Sequence, residues 1–384
     1  MMSRYPGSLY NVFISQIALL LFIVFSGTGI VCASEPTAGS GFHYDWWDSD
    51  EGDKGMQLYL PIQASSKYRG ISFEVLTAYA YTRVDPSGGS ACSLSDFVDT
   101  KLNFAYALEG RYGCDIILGL GFNLPTGHTD LSTRDLVLVV PPDLMSINTF
   151  GEGLNMNPRI GIARQWDKLV AGIGLGYTWR GEYDYSDGVE DYDPGEIFTL
   201  TGEASYEFSP MWYGKAYGEY ESFSKDTVDG DDYYQEGDVM LIGFGLSYVQ
   251  PAWDLGFSLT GIFRDKSRIQ QGIIVPTESK NSHGDEWIAA VVYRYFQDKD
   301  TTVSTSLEYL SLQENDYDVS SLYYIGKRQK ITLGCMVSKV LKKDLEASTE
   351  IKGFIMDDEK NWYHPGGDYT YRGFSLGAAV TKGF

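Results

Sequence analysis

The chain has 384 residues, and 30 Lys and Arg against 52 Asp and Glu give it a formal net charge of −22 at pH 7. A hydrophobic share of 43% beside a charged share of 21% excludes a disordered chain. The acidity argues against nucleic acid as a partner, because such binding needs clustered Lys and Arg. An aromatic share of 15% suits a surface at a boundary between an apolar medium and water, since Tyr and Trp have apolar bodies and polar tips.

The N-terminal segment has the pattern of a secretory signal. Arg4 precedes an apolar run over residues 17–25, and small to medium side chains lead up to Ala33. We therefore predict a signal peptide over residues 1–33, cleaved after Ala33, and export to the bacterial outer membrane. A retained anchor is the alternative, but the run is shorter than the ~20 apolar residues that span a bilayer.

From about Gly70 to the last residue, polarity alternates with a period of two. In the first such segment Ile71, Phe73 and Val75 oppose Ser72 and Glu74. No later run approaches ~18 apolar residues, which excludes membrane helices, whereas a membrane strand is apolar on one face only. Similar alternation recurs over residues 94–109, 169–180, 198–208 and 253–266.

The connections between these segments are alternately short and long along the chain, as in outer-membrane barrels. Short ones are predicted near residues 67–69, 111–113, 167–168, 209–211, 251–252, 298–300 and 342–344. Long ones are predicted near residues 85–93, 128–155, 187–195, 226–236, 271–284, 317–327 and 357–370.

The sequence therefore predicts an all-β fold, a transmembrane antiparallel up-and-down β-barrel of about 14 strands (range 12–16) over residues 70–384. Residues 34–69 are predicted to be a plug-like segment or a first strand, and the barrel to carry an N-terminal or loop plug. A strand at 56–65 would need a hidden partner, for which 136–140 is a candidate. A soluble β-sandwich is disfavoured, because the hairpins form one uninterrupted series.

The closing segment alternates up to a terminal Phe384 and resembles the C-terminal recognition signal of bacterial outer-membrane barrels. That resemblance implies contact with the outer-membrane assembly machinery. Lys382 departs from it, since an aromatic side chain is more usual there. Membrane lipids and lipopolysaccharide are the other expected macromolecular partners.

No catalytic, cofactor or metal site is predicted. His128, His283 and His364 fall in predicted outer loops without the spacing of a metal site. The stretch Gly373–Gly377 fits G-x-S-x-G, but it lies within a strand with seven residues after it, so no acid and histidine can follow. An enzyme is disfavoured on these grounds.

Two short motifs carry a family resemblance. Leu118–Gly127 ends a strand in Leu-Pro-Thr-Gly before a long loop, and Tyr177–Gly181 is a Tyr-Thr-Trp-Arg-Gly strand end. Both resemble the outer-membrane transporters associated with phenol and other aromatic degradation, in the broad group similar to the long-chain fatty-acid transporter. The resemblance implies a plugged barrel that passes hydrophobic molecules.

Two segments are candidates for binding a solute. The first is the aromatic cluster 42–47, and the second is the unusually apolar part of loop 128–155, which is either an interaction site, a segment folded inward, or a loop packed on its neighbours. The predicted binding residues are Trp46, Trp47, Leu136, Leu138, Val140, Leu144 and Met145. The predicted lumen charges are Glu74, Lys101, Arg159, Arg180, Glu203, Arg264 and Lys266.

The leading functional hypothesis is passive uptake of small hydrophobic or amphipathic solutes, such as aromatic or fatty-acid-like molecules. A general porin and a structural or adhesive barrel are the alternatives. A wide, steady conductance would favour the porin, because a plugged barrel conducts little.

Overall fold

The structure is a computed structural model that describes residues 36–111, 113–271, 274–361 and 367–384. The predicted signal peptide at 1–33 and His364 lie outside the described residues. The strands are β1 (Thr37–Ser49), β2 (Lys54–Tyr68), β3 (Ile71–Asp85), β4 (Cys92–Phe97), β5 (Thr100–Arg111), β6 (Cys114–Leu124), β7 (Asn155–Trp166), β8 (Leu169–Arg180), β9 (Tyr192–Asp193), β10 (Ile197–Ser209), β11 (Trp212–Phe223), β12 (Asp226–Val228), β13 (Asp231–Gln235), β14 (Val239–Gln250), β15 (Trp253–Arg264), β16 (Arg268–Ile269), β17 (Glu286–Phe296), β18 (Thr301–Leu312), β19 (Arg328–Lys342), β20 (Leu345–Asp358) and β21 (Tyr369–Gly383). A short 3-10 helix covers Asp135–Leu138.

Sixteen strand positions close into one antiparallel barrel. Each wall strand pairs with its neighbour along the chain, and β1 pairs with both β2 and β21, which closes the ring. β3 pairs with β4 along one half and with β5 along the other, so β4 and β5 together occupy one position. The predicted all-β up-and-down barrel is confirmed, with a strand number at the upper end of the predicted range.

The N-terminal segment, predicted to be either a plug or a first strand, consists of strands. Residues 37–49 and 54–68 are two wall strands, so this segment does not fill the lumen. The fourteen strand positions predicted from Gly70 onward are all present, and the partner of β2 is β1. The proposed hidden strand at 136–140 is wrong, because this stretch contains a 3-10 helix and runs into Pro141 and Pro142, which cannot donate to a ladder.

All seven predicted short connections occur where expected, at one rim of the barrel. The β2–β3 turn consists of Arg69 and Gly70, with φ of 50° and 84°. Positive φ at both positions is the two-residue hairpin geometry that matches the twist of the flanking strands. The long connections lie at the opposite rim.

The outer surface of the barrel is apolar. On β8, Ile173 and Leu175 are 56% and 45% exposed on this face. Near the short turns the rings of Trp212, Tyr248 and Trp253 form a chain with centroid separations of 4.8 and 5.4 Å. An apolar band with an aromatic rim is what the lipid-facing side of an outer-membrane barrel requires, and it places the protein in a bacterial outer membrane, as predicted.

No helix in the described ranges is long and apolar enough to cross a bilayer.

Candidate solute site inside the barrel

The connection between β6 and β7, residues 125–154, crosses the interior of the barrel and is called the lumen loop below. Its Asp143 contacts Arg328 of β19 at 2.9 Å. β19 lies seven positions from β6 around the sixteen-position ring, almost opposite. A contact over that separation requires the lumen loop to pass through the lumen.

Asp99 fixes both ends of the lumen loop. It lies at the interruption between β4 and β5 and is buried. Its carboxylate accepts the backbone N–H of Gly127 at 2.8 Å, the backbone N–H of Glu152 at 2.7 Å and the side-chain N–H of Asn123 at 2.6 Å. At Gly127 a Cβ atom would lie 1.9 Å from the carbonyl oxygen of Phe150, so only glycine fits there.

The first two wall strands hold the middle of the lumen loop. Gln57 of β2 accepts the backbone N–H of Ile147 at 2.8 Å and donates to its carbonyl at 2.6 Å. Asp45 of β1 accepts the Ser146 hydroxyl at 2.9 Å. A side-chain amide that makes both bonds of a peptide unit fixes the position of the backbone as a paired strand would.

The tip of the lumen loop is anchored on the far wall. The Arg328 guanidinium donates to Asp143 and also to Asp358, at 2.9 and 2.8 Å. Lys330 donates to the backbone carbonyl of Asp143, and its ammonium lies 4.5 Å from the centre of the Phe354 ring. The anchor is therefore a charged network on β19 and β20.

Apolar side chains of the lumen loop pack on the wall beside these anchors. Leu144 and Met145 are 5% and 2% exposed. They belong to a buried cluster that also contains Trp47, Val84, Cys92, Leu138, Met356 and Tyr371, with Val140 packed against it. The apolar part of the loop is thus covered by β1, β3, β20 and β21.

A cavity of about 510 Å³ lies between the lumen loop and the wall. Leu144, Met145 and Phe354 are part of its apolar surface, together with Pro142, Ala290, Val292 and Met336. Charged and hydroxyl side chains also line it, among them Asp45, Asp143, Arg294, Ser304, Glu308, Lys330, Thr332, Glu350 and Lys352. The volume is in the range of small-molecule pockets, and the lining suits a molecule with one apolar and one polar part.

The structure separates the predicted binding residues into four groups. Leu144 and Met145 line the cavity, whereas Trp47, Leu138 and Val140 pack in or against the buried cluster. Leu136 is half-buried in the 3-10 helix. Trp46 faces outward, with its ring 5.5 Å from that of Phe374, because neighbouring residues of a strand point to opposite faces.

Six of the seven predicted lumen charges lie on the interior face. Arg159 donates to Asn103 at 3.1 Å, which in turn donates to Glu74 at 3.4 Å, and Lys101 shares the face of Asn103. Glu203 pairs with Lys215 at 2.8 Å, Arg264 with Glu286 at 3.5 Å, and Arg180 donates to the carbonyl of Gly195.

The assignment of Lys266 to the lumen is not supported by its position. β15 ends at Arg264, and Lys266 lies exposed in the following outer connection, where it donates to the carbonyl of Ser279 at 2.7 Å. In the sequence, the alternation of polar and apolar residues continues beyond Arg264, although the strand ends there.

Sequence reasoning missed several residues of the site, namely Asp45, Asp99, Asp143, Lys330 and Phe354. Asp99 had a partial signal, since it falls on the polar side of the predicted alternation over residues 94–109. Asp143, the acid after the Pro-Pro pair in the apolar loop, had a weaker one. The other three share the parity of ordinary wall residues, and their role depends on where the lumen loop docks.

A small second sheet lies among the outer connections and consists of β9, β12, β13 and β16. Asp226 of β12 links this sheet to the segment that leads into β10, since it accepts the hydroxyl of Tyr192 in β9 at 2.6 Å and the Gly195 N–H at 2.8 Å. Just after β13, burial raises the pKa of Glu236 to about 7. The outer connections are therefore folded and contain a half-buried acid whose pKa is raised toward neutrality.

Among the described residues, no group of three or more His, Cys, Asp or Glu side chains is arranged to hold a metal ion.

Comparison with known families gives a match over part of the chain. A family model described as "Putative MetA-pathway of phenol degradation" matches residues 147–270, a range that includes Tyr177–Gly181. The predicted resemblance to aromatic-degradation-associated transporters is thereby confirmed. No curated protein sequence matches the chain.

Several solved structures are similar in architecture. The toluene transporter TodX of P. putida is 8% identical, with 93% of this chain and 91% of that chain covered and a TM-score of 0.40. The monoaromatic hydrocarbon channel CymD is 10% identical, with 92% and 89% covered and a TM-score of 0.43. A loop L8 deletion mutant of OmpT, an outer-membrane protein of Vibrio cholerae, is 11% identical, with 90% and 99% covered and a TM-score of 0.41. The barrel assignment itself rests on the strand pairing described above.

Proposed function

We propose that the protein is an outer-membrane channel for the passive uptake of small hydrophobic or amphipathic solutes, aromatic ones included. The observation that carries the proposal is the lumen loop, which brings Leu144 and Met145 to a cavity opposite Phe354. A closed barrel with a purely hydrated lumen would offer such solutes no site. The aromatic hydrocarbons transported by TodX and CymD suggest which solutes to test first.

In this proposal the lumen loop both narrows the pore and forms the site. An apolar solute entering from outside meets a pore that the loop has narrowed. There it leaves water and contacts the apolar side chains of the cavity, and the transfer free energy is favourable by about 25 cal/mol per Å² of apolar surface buried. The polar remainder of the wall keeps binding weak, so that the solute can leave toward the periplasm. No energy source and no catalytic step are required.

A general porin is the second candidate, and the wall of the cavity favours it. Arg294, Lys330 and Lys352 face the same space as Glu308 and Glu350. Charges of both signs across a narrow hydrated passage suit small polar solutes and ions. The two functions differ in what the lumen loop contributes, which makes them separable.

Whole cells with an intact lipopolysaccharide layer provide the test, because that layer slows the direct permeation of apolar molecules. Uptake of a radiolabelled monoaromatic hydrocarbon and of a small sugar would be measured with the wild type and with a variant lacking residues 134–147. We expect the deletion to lower aromatic uptake severalfold and to raise sugar uptake and single-channel conductance. Unchanged aromatic uptake with a wide, steady wild-type conductance would support the porin instead.

Two further partners belong to the proposal. We infer that the assembly machinery binds the last strand through Phe384, whose ring lies 4.8 Å from the ammonium of Lys382. Lipopolysaccharide is the expected neighbour of the outer rim. Removing Phe384 should lower the amount of folded barrel in the membrane without changing synthesis, and normal assembly would contradict this role.

A further inference from the structure

Two buried glutamates lie side by side on the interior face of β11, apart from the cavity of the lumen loop. Glu219 and Glu221 are 7% and 4% exposed. One residue separates them, so they share a face, and their carboxyl groups contact each other. Two carboxylates in contact and away from water repel each other strongly, so the pair requires a positive partner or a proton.

Several buried oxygen atoms at or near this pair lack a hydrogen-bond donor. One oxygen of Glu219 is buried and has no hydrogen-bond partner. The buried Thr199 hydroxyl lies at the carboxyl group of Glu221, its register partner on the neighbouring strand. The amide oxygen of Gln235 is likewise buried and unpartnered, while its amide nitrogen donates to the carbonyl of Phe223 at 2.7 Å. Thr199 can donate one proton, but the buried carboxylate and amide oxygens outnumber it, and buried acceptors that lack donors are costly unless something electropositive lies among them.

Basic side chains of the neighbouring strands are engaged elsewhere. Lys215, on the same strand, pairs with Glu203 at 2.8 Å. Arg264 of β15 contacts Glu286 at 3.5 Å. Glu236 adds a further acidic group near Glu221, and Arg264 and Arg180 lie close enough to Glu236 to lower its pKa. The local charge is therefore acidic, in contrast to the paired charges along the rest of the wall.

We propose that this pocket binds a hard cation of the Ca²⁺ type through the carboxylates of Glu219 and Glu221, with the oxygens of Thr199 and Gln235 as neutral ligands. Calcium prefers such oxygen ligands, and its coordination number leaves room for water. Two carboxylates give a weak site, with an expected Kd on the order of 10⁻⁴–10⁻³ M, which is typical of extracellular calcium modules. Because Gln235 belongs to β13, the cation joins the outer sheet to the barrel wall.

The test uses the full chain, folded in detergent at pH 7.5, with Ca²⁺ as the probe. Equilibrium dialysis with radioactive calcium should find one site per barrel above the weak background of the acidic loops, and millimolar Ca²⁺ should raise Tm. Glu219→Gln and Glu221→Gln should each weaken that site at least tenfold and remove the rise in Tm. Thr199→Val, which keeps the shape of the side chain, should weaken it to a smaller extent.

Glu203→Gln is the matched control, because it removes a lumen carboxylate from the neighbouring strand without touching the pocket. It should bind Ca²⁺ as the wild type does. Equal calcium binding by the wild type, Glu203→Gln and Glu219→Gln would overturn the proposal. A wild-type Tm that does not change with Ca²⁺ but falls as the pH rises would also overturn the proposal, because the two glutamates would then share a proton. Neither measurement involves transport, so the result is independent of the proposed function.

Discussion

Replacement of Asp99 by alanine tests whether the lumen loop is held as the structure has it. The carboxylate accepts three N–H donors, two from the loop backbone and one from Asn123. Hydrogen bonds to charged groups contribute about 1.5–3 kcal/mol each and are not additive. We expect the docked conformation of the loop to lose roughly 3–5 kcal/mol, which corresponds to an open population about 100- to 4,000-fold larger.

Trypsin provides the assay, because Arg134 is an exposed cleavage site within the lumen loop. In the docked loop its guanidinium donates to the carbonyl of Ala91 at 2.6 Å. The Asp99→Ala barrel should be cut at Arg134 much faster than the wild type and should conduct more current in a planar bilayer. Heat-modifiable migration on a gel would verify that the barrel itself remains folded.

Asp96→Ala is the matched control for Asp99→Ala. Asp96 lies three residues earlier and contacts His128 of the same loop at 3.3 Å, but both side chains are partly exposed. Exposed ion pairs contribute about 0–1 kcal/mol, so cleavage and conductance should hardly change. If Asp99→Ala behaves like this control in a folded barrel, the carboxylate does not hold the loop.

Three other changes probe other parts of the structure. Arg328→Lys replaces the guanidinium that bridges Asp143 and Asp358 by an ammonium group, which cannot make the same paired contacts. Single-channel recordings should then be noisier and polar solutes should pass severalfold faster, whereas quiet recordings would count against the anchor. Glu236 has a folded pKa of about 7 against an ordinary 4.5, so the stability that its proton contributes is complete below about pH 4.5 and is lost as the pH rises through 7. The dependence of Tm on pH should therefore be weaker in Glu236→Gln, and an unchanged dependence would refute this. Gly243→Ala would place a Cβ 2.1 Å from the Tyr217 ring, and urea unfolding should reveal a loss of about 1–3 kcal/mol, whereas wild-type stability would contradict the close contact.

The barrel wall could be predicted from the sequence because its determinants are local. The period-two pattern assigns each residue to lipid or lumen, and positions such as Arg69 and Gly70 mark the turns. The outward side chains need no partner beyond the lipid, so no knowledge of distant residues is required. Fourteen strand positions and seven short turns therefore followed from inspection of the chain.

The site could not be predicted to the same extent, because it depends on contacts between distant residues. Asp143 and Arg328 are 185 residues apart, and nothing near either one indicates the other. The aromatic cluster 42–47 suggested a plug, yet its alternation already matched a strand with Trp46 on one face and Trp47 on the other. An aromatic side chain suits both lipid and lumen, so composition alone did not decide between them.

The pairing of β1 with β21 has a consequence for biogenesis. Thirteen residue pairs join Thr37–Ser49 to residues at the other end of the chain, between Tyr371 and Gly383. Until the last strand has been delivered, the first strand has one edge whose backbone groups lack these partners, and such an edge in hydrocarbon is prohibitively unfavourable. Insertion must therefore be completed almost as a single event, and a nascent barrel that stalls before its final hairpin should be a substrate for periplasmic proteases rather than a partly functional pore.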